Sequence, residues 1–530
     1  MDESRENDME NTVDTEGSYR PSAPYVPPDA VRPYPLGQRD RAFGFIMVIC
    51  SILMVSWGLY TGFASGMTAA YLMMFVTVSL YLYQKGRTPG IFASLCGAFC
   101  VLLSPAFSLS RQNMNAWILL MLVPASVAWS DGLVRDRDDG SDLSLIKELS
   151  DAFFSNIFSV GLMFKSAAAG IPEMKRTRLS SLKGILLALP LAAALIALLV
   201  SSDAAFEGFM RSLAIDITED AVKLILGLAL SVLMISYMWG IKFRTTVERS
   251  GYERHADERT LTSFLLVICA VYAVYLMTQG AYFFSAFSGI LPDGFTAAEY
   301  ARRGFFEMCV VAMIDFIVVI LSVSMLGRRA APKGGVLAAC LFINLFTVII
   351  ASTALSKMFL YISYYGMTYK RIVTSVFMFG LIISVLVLTL RLFRPGVRVL
   401  RVTFVCALAL LTLLTYFNMD SFSCRYNYEH YMSGELSSVD PYHMYISGSD
   451  GIEYLILLSE DKDLNVSSAA KEYLRMSTWE YWDVEYDADG NYVLREPLHE
   501  RWYEKTVSTA AAQKMLTRYF IMHPEVLKQE

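Results

Sequence analysis

Residues 301–325, ARRGFFEMCVVAMIDFIVVILSVSM, form an apolar run long enough to cross a bilayer. It is opened by Arg302 and Arg303, with Glu307 in its first turns and Asp315 near its middle. A carboxyl group at the centre of a membrane helix costs about 2.5–3.5 kcal/mol on insertion scales, so it faces protein or water rather than lipid. The run therefore predicts both a membrane helix and a surrounding bundle that shelters its acid.

The rest of the chain supplies that bundle. Hydrophobic residues make up 55% of the 530 and charged ones only 18%, with a mean hydropathy of +0.42, too apolar for an ordinary soluble domain. The net charge of -5 and the absence of a dominant basic patch argue against a nucleic-acid partner. From Ala42 onward eleven candidate spans follow at 43–63, 67–84, 89–109, 113–130, 184–200, 222–242, 261–284, 304–326, 335–355, 372–392 and 399–417. Span 113–130 carries Pro124, and the short span 184–200 carries Pro190.

The expected organisation is a tail, 1–41, acidic at first and then proline-rich, that cannot order itself. A four-helix section, 42–130, comes next, then a loop, 131–183, a seven-helix section, 184–417, and a polar carboxy-terminal domain, 418–530. Lys85, Arg87, Lys175, Arg176, Arg178, Arg328, Arg329 and Arg398 fall on loops facing one side, and the loops on the other are poorer in Lys and Arg. That is the positive-inside pattern for an inner amino terminus, and an odd number of spans leaves the carboxy terminus outside.

Within the loop, Ile146, Leu149, Phe153, Ile157, Val160 and Phe164 recur at steps of three and four, which puts them on one helix face. Two placements fit: a helix lying in the inner headgroup region, or one packed against the bundle. In the tail, helices are expected near 424–433, 450–460, 466–476 and 508–521. Glu485, Asp487, Asp489, Gly490 and Glu496 match the spacing of a calcium loop, with Glu in place of the first Asp. The same residues also read as a β-hairpin turning at Asp489-Gly490, and this is the preferred reading.

All five histidines lie outside the spans, which argues against an intramembrane zinc protease. No phosphate-binding loop, dinucleotide turn, convincing Ser/His/Asp group or cofactor motif stands out. Inside the spans the polar candidates are Glu307, Asp315, Asn344 and Gln279. Asp315 and Asn344 fall at similar depth, so an Asp–Asn hydrogen bond is one expectation. These groups fit a proton or ion relay or a polar substrate site; equally, they fit interhelical bonds worth about 0.6–2 kcal/mol each.

Three motifs carry a family resemblance: ARRGFFEMCVVAMID (301–315), YISYYGMTYKRI (361–372) and NMDSFSCRYNYEHYMSGELS (418–437). With KGILLALPLAAALIALLVSSDAAF (183–206), they are similar to the bacterial integral membrane proteins of the domain of unknown function 4153/4173 family. Met367 stands where those proteins usually have leucine. The resemblance implies a bacterial cytoplasmic membrane protein and no assigned activity. Its motif residues Arg302, Arg303, Glu307, Tyr364, Tyr365, Gly366, Thr368, Arg371, Asn418, Asp420, Arg425, Tyr426 and Asn427 all fall near the outer ends of spans eight, ten and eleven. Arg371 or Arg302 pairing with Glu307 or Asp420 would lock the tail to the bundle.

The fold expected is thus an all-α polytopic membrane protein with a small mixed, mostly helical carboxy-terminal domain outside, and the lipid bilayer is its first partner. Two functions compete. One is transport of a small polar solute or ion through a site at Asp315 and Asn344; the other is a non-transporting sensor or scaffold that presents the outer tail. The sequence leans to transport, although it contains no internal repeat and no broken pair of helices.

Overall fold

The computed structural model describes residues 33–59, 63–109, 114–134, 142–168, 219–243, 256–288, 305–327, 330–487, 492–497 and 502–528. Among these, ten helices are long and apolar enough to cross a membrane. They coincide with ten of the eleven expected spans, and the other, 184–200, lies outside the described residues. In chain order the first four are α1 (Gln38–Leu53, continued by a π-helical turn, Met54–Leu59), α2 (Ser65–Leu82), α3 (Ile91–Leu103, followed by the turn Ala106–Leu109) and α4 (Asn115–Val134). After the loop helix α5 (Ser144–Ala168) come α6 (Glu219–Phe243), α7 (Glu258–Ser288), α8 (Phe305–Met325), α9 (Gly334–Tyr365), α10 (Tyr369–Phe393) and α11 (Val399–Tyr416). Helix is what such sequences must form, because the bilayer core has no water to pair with free N–H and C=O groups. Even Pro124 is carried inside α4 without ending it. The protein is a multi-pass membrane protein.

Contacts at the helix ends sort the connections onto two faces. On the near face, which holds Tyr34, the Arg39 guanidinium donates to Leu80 O at 2.6 Å and Lys242 donates to Asp40 Oδ1 at 2.5 Å. The Ala256 amide donates to Met325 O at 3.0 Å on the same face. On the far face the Gly66 amide donates to Tyr503 O at 3.0 Å, and the Tyr416 hydroxyl donates to Leu102 O at 2.6 Å. The described residues after Tyr416 therefore pack at the end of the bundle opposite Tyr34.

Helix α5 has both ends on the near face. At its start Asp142 pairs with Arg391 at 3.0 Å and Glu148 pairs with Arg401; near its end Ser166 Oγ accepts from the Tyr34 amide at 2.7 Å. Leu145, Val160 and Met163 are buried, whereas Ile146 and Phe153 are exposed. The apolar stripe of the sequence is thus divided: Val160 packs inward and Ile146 and Phe153 do not.

Beyond the last span lie α12 (Met419–Met432), α13 (Pro441–Ile446), α14 (Ile452–Leu458), α15 (Leu464–Met476), β1 (Trp482–Tyr486), β2 (Tyr492–Pro497) and α16 (Val507–Met522). Cys424, Met444, Leu455, Leu458, Leu474, Trp482, Leu516 and Phe520 form an apolar cluster of their own. The helix starts are set by side-chain caps: Asn418, Asp440, Asp463 and Thr506 each accept from an amide of the first turn. Asn418 does so from a left-handed backbone, φ 45°, and α12 starts five residues before the helix expected near 424–433. The strands β1 and β2 are antiparallel, with Tyr486 opposite Tyr492, as the hairpin alternative required. The turn between them, with Asp489 and Gly490, lies outside the described residues.

Candidate functional site

Among the described residues Asp315 is the most buried acid of the bundle, 1% exposed. It sits on α8 facing α7 and α9. The Tyr272 hydroxyl of α7 donates to Oδ1 at 2.5 Å, and Tyr272 is itself held by stacking on Phe346, with ring centroids 4.0 Å apart. Thr347 Oγ1 of α9 lies 2.9 Å from Oδ2 and 2.8 Å from its own helix carbonyl, Ile343 O. Thr347 has a single hydroxyl proton for those two acceptors. With it on Ile343 O, the remaining contact takes its proton from the carboxyl. In its neutral form Asp315 would complete a chain in which Tyr272 donates to Asp315, Asp315 to Thr347 and Thr347 to Ile343; in its ionised form it accepts from both Tyr272 and Thr347. Among the described residues no cationic side chain pairs with Asp315, as a neutral acid permits.

Among the described residues, apolar layers flank this group on both sides. Toward the near face lie Leu265, Val319, Val323, Cys340 and Ile343, and toward the far face Phe305, Met308, Ala312, Phe346 and Ile350. The expected Asp315–Asn344 bond is not made. Buried Asn344 donates instead to Thr389 Oγ1 of α10 at 2.9 Å, and Thr389 donates to Val385 O at 2.8 Å. Asn344 and Thr347, three residues apart on α9, thus join it to α10 and α8 respectively. Glu307 is exposed in the first turn of α8. Gln279 lies within α7, but its side chain is outside the described residues, as are Arg302 and Arg303.

The second constellation, at the far face, does assemble, though with different pairs. Helix α9 ends at Gly366, whose φ of +74° favours glycine, and a Cβ there would stand 2.4 Å from Asn427 Oδ1. The next residue, Met367, offers its main chain to α12: its amide donates to Asn427 Oδ1 at 2.6 Å and its carbonyl accepts from Asn427 Nδ2 at 2.8 Å. Ser423 Oγ adds a third bond to Met367 O at 3.0 Å and lies 2.7 Å from His443 Nε2. Thr368 caps α10, accepting from the Arg371 amide at 3.5 Å. Arg371 pairs with neither Glu307 nor Asp420. Its guanidinium donates to Tyr365 O at 2.8 Å and to Gly366 O, and lies over the Tyr361 ring at 4.1 Å. Carbonyls left open at the end of α9 draw the cation more closely than a distant carboxylate does.

The remaining motif residues support the junction locally. Asn418 Nδ2 donates to Asp450 Oδ1 at 2.9 Å, Asp420 is buried at the start of α12, and Tyr426 stacks on His430. Arg425 forms an exposed pair with Glu429 at 3.8 Å. Tyr364 and Tyr365 are exposed. Of the possible calcium ligands, Glu485 is paired with Arg495 across the hairpin, Asp487 is exposed at the end of β1, and the Asp489 and Glu496 side chains lie outside the described residues. Sequence reasoning missed Tyr272, Thr347, Ser423, His443 and the Asp142–Arg391 pair. Only Thr347 had a usable signal, its spacing of three from Asn344.

No curated protein and no solved structure matches the chain. A family model described as Domain of unknown function (DUF4153) matches residues 46–458, from within the first span to the end of α14. It takes in both the Asp315 layer and the Asn427–Met367 junction, and most of the chain besides; the protein belongs to the DUF4153 family.

Proposed function

We propose that the protein is a non-transporting scaffold or sensor of the bacterial cytoplasmic membrane, holding residues 417–528 on the extracytoplasmic face. The observation that carries this reading is the burial of Asp315, 1% exposed, whose hydrogen bonds go to neighbouring helices between two apolar layers. A coupling site needs a route by which its solute or ion arrives. A carboxyl with its protons matched helix to helix serves instead as interhelical bonding. The excess of Lys and Arg on the near-face loops supports an inner amino terminus, hence an outer tail.

The reading gains from α10 and α11, each held at both ends. Their near-face ends carry Arg391 and Arg401, paired with Asp142 and Glu148 of the α5 segment. At the far face α10 follows directly on Met367, gripped by Asn427, and α11 leads into α12. The two helices thereby join the near-face segment to the presented tail.

The test is accessibility. In a cysteine-free background, a cysteine replacing buried Ala312, one turn from Asp315, should resist a membrane-impermeant thiol reagent added from either side of sealed vesicles. Modification from either side would restore the transport reading. Reporter fusions after Phe417 and at the carboxy terminus should be active as periplasmic enzymes and dark as cytosolic fluorophores; the opposite pattern would overturn the orientation.

A further inference from the structure

We infer that α5 rests on the bilayer itself, with the edge carrying Ile146 and Phe153 set against lipid at the boundary between headgroups and acyl chains on the near face. This goes beyond the scaffold reading and holds for either orientation of the protein.

Depth comes first. Arg391 lies in the last turn of α10 and Arg401 in the first turn of α11, and these hold Asp142 and Glu148 at the start of the segment. Tyr34, just before α1, holds Ser166 near its other end. Both ends are therefore fixed at the level where spans leave the membrane. A helix of 25 residues covers about 37 Å, so α5 runs along the membrane surface from the α10–α11 pair to α1.

Rotation comes second. At about 100° per residue, the side chains of α5 fall into three sectors. Leu145, Met163, Glu148, Ser159 and Ser166 share one side, with buried Val160 at its margin next to the apolar edge, and it is this side that meets the bundle. Ile146, 53% exposed, and Phe153, 65% exposed, lie within about 20° of each other, roughly a third of a turn from the centre of the packed side. Exposed Lys147 and Lys165 coincide about a third of a turn further on, away from the packed side. The order around the helix is protein, apolar edge, cations.

A helix at this depth, packed sideways on a bundle, meets acyl chains along the edge turned to the membrane interior and water along the opposite one. Apolar residues on the first and lysines on the second match that environment. A soluble protein partner has no reason to require this order at this depth.

The full-length protein in lipid nanodiscs provides the test, with spin labels at Ile146→Cys, Phe153→Cys and Lys147→Cys in a cysteine-free background. Labels at 146 and 153 should collide more with oxygen than with a water-soluble nickel chelate, and the label at 147 should show the reverse. Nickel-dominated collisions at 146 and 153 would overturn the proposal, as would labels there shielded from both reagents and so covered by protein. Spin–spin broadening at 146 would assign that edge to a second copy of the chain instead. Ile146→Trp in the protein with native cysteines gives an independent arm. Lipids brominated just below the headgroup should quench its added emission, and unchanged emission would also overturn the proposal.

Discussion

Asn427 grips the main chain of Met367 with both ends of its amide, accepting at 2.6 Å and donating at 2.8 Å. The donor and acceptor pair copies one rung of a β-ladder, made here by a side chain on the first helix beyond the last span. Asn427 is buried, 8% exposed, so losing its acceptor leaves the Met367 amide without its partner, while losing its donor leaves Met367 O to Ser423 alone.

Asn427→Asp keeps the acceptor but sets a carboxylate oxygen against Met367 O, so it should loosen the junction more than its small change in shape implies. A loss of about 1–3 kcal/mol is the scale for an unsatisfied buried group. Limited proteolysis of the outer tail should run faster in Asn427→Asp and Asn427→Ala than in wild type. Equal cutting rates in all three would show that the grip does not hold the tail.

Gly366→Ala attacks the same junction from the other partner. The backbone there has φ +74°, and the new Cβ would meet Asn427 Oδ1 at 2.4 Å. Strain and clash act together, so the substitution should destabilise by more than about 1 kcal/mol. A melting temperature within error of wild type would mean that α9 can end in another way.

The apolar spans and the mid-span position of Asp315 were legible because hydropathy and the 1.5 Å rise of a helix are local properties. The partners of Asp315 were not. Tyr272 stands 43 positions away on α7 and meets the acid only through the rotation of packed helices, which no single run records. Asn344 has the right depth for Asp315 but turns toward Thr389 on α10. Arg371 was read for its charge, whereas the open carbonyls of α9 decided its place. The motif resemblance did bring the right segments together, 361–372 with 418–437, yet the side chains that join them are an amide and a hydroxyl rather than an ion pair.

Asp315 lends itself to an isosteric test. An asparagine with Oδ1 toward Tyr272 and Nδ2 toward Thr347 reproduces every bond of the neutral acid. Asp315→Asn should therefore leave thermal stability within about 1 kcal/mol of wild type, while Asp315→Ala strands the Tyr272 hydroxyl and should lose about 1–3 kcal/mol. Equal damage by both substitutions would show that the acid is held in its ionised form.

His443 makes the junction sensitive to acid. Burial holds its imidazole below the ordinary histidine value, against an upward pull from Asp440 and with a further downward push from Arg371. The fold therefore favours the neutral ring. Its contribution is fully present above the unfolded value of about 6.5 and is lost as pH falls below it, because the unfolded chain then binds the proton more readily. Tail proteolysis should rise between pH 7 and pH 5, and His443→Gln should flatten that rise. A profile unchanged by the substitution would move the acid sensitivity, if any, to another group.

The last prediction concerns Arg391 and Asp142, a pair almost wholly enclosed where α5 meets α10. Three contacts join them at 3.0–3.1 Å, and the guanidinium also donates to Ala330 O at 3.1 Å. Burying two charges is costly in itself, so the pair need not stabilise the fold relative to apolar residues of like size. Removing one partner is different, since it leaves the other charge enclosed and alone, at about 3–5 kcal/mol. Arg391→Met and Asp142→Leu should each lower stability sharply in thermal unfolding of the detergent-solubilised protein. The double substitution should recover much of the loss, minus the bond to Ala330 O. Losses that simply add in the double variant would mean that the two charges do not act on each other, and that α5 is held by its packed side alone.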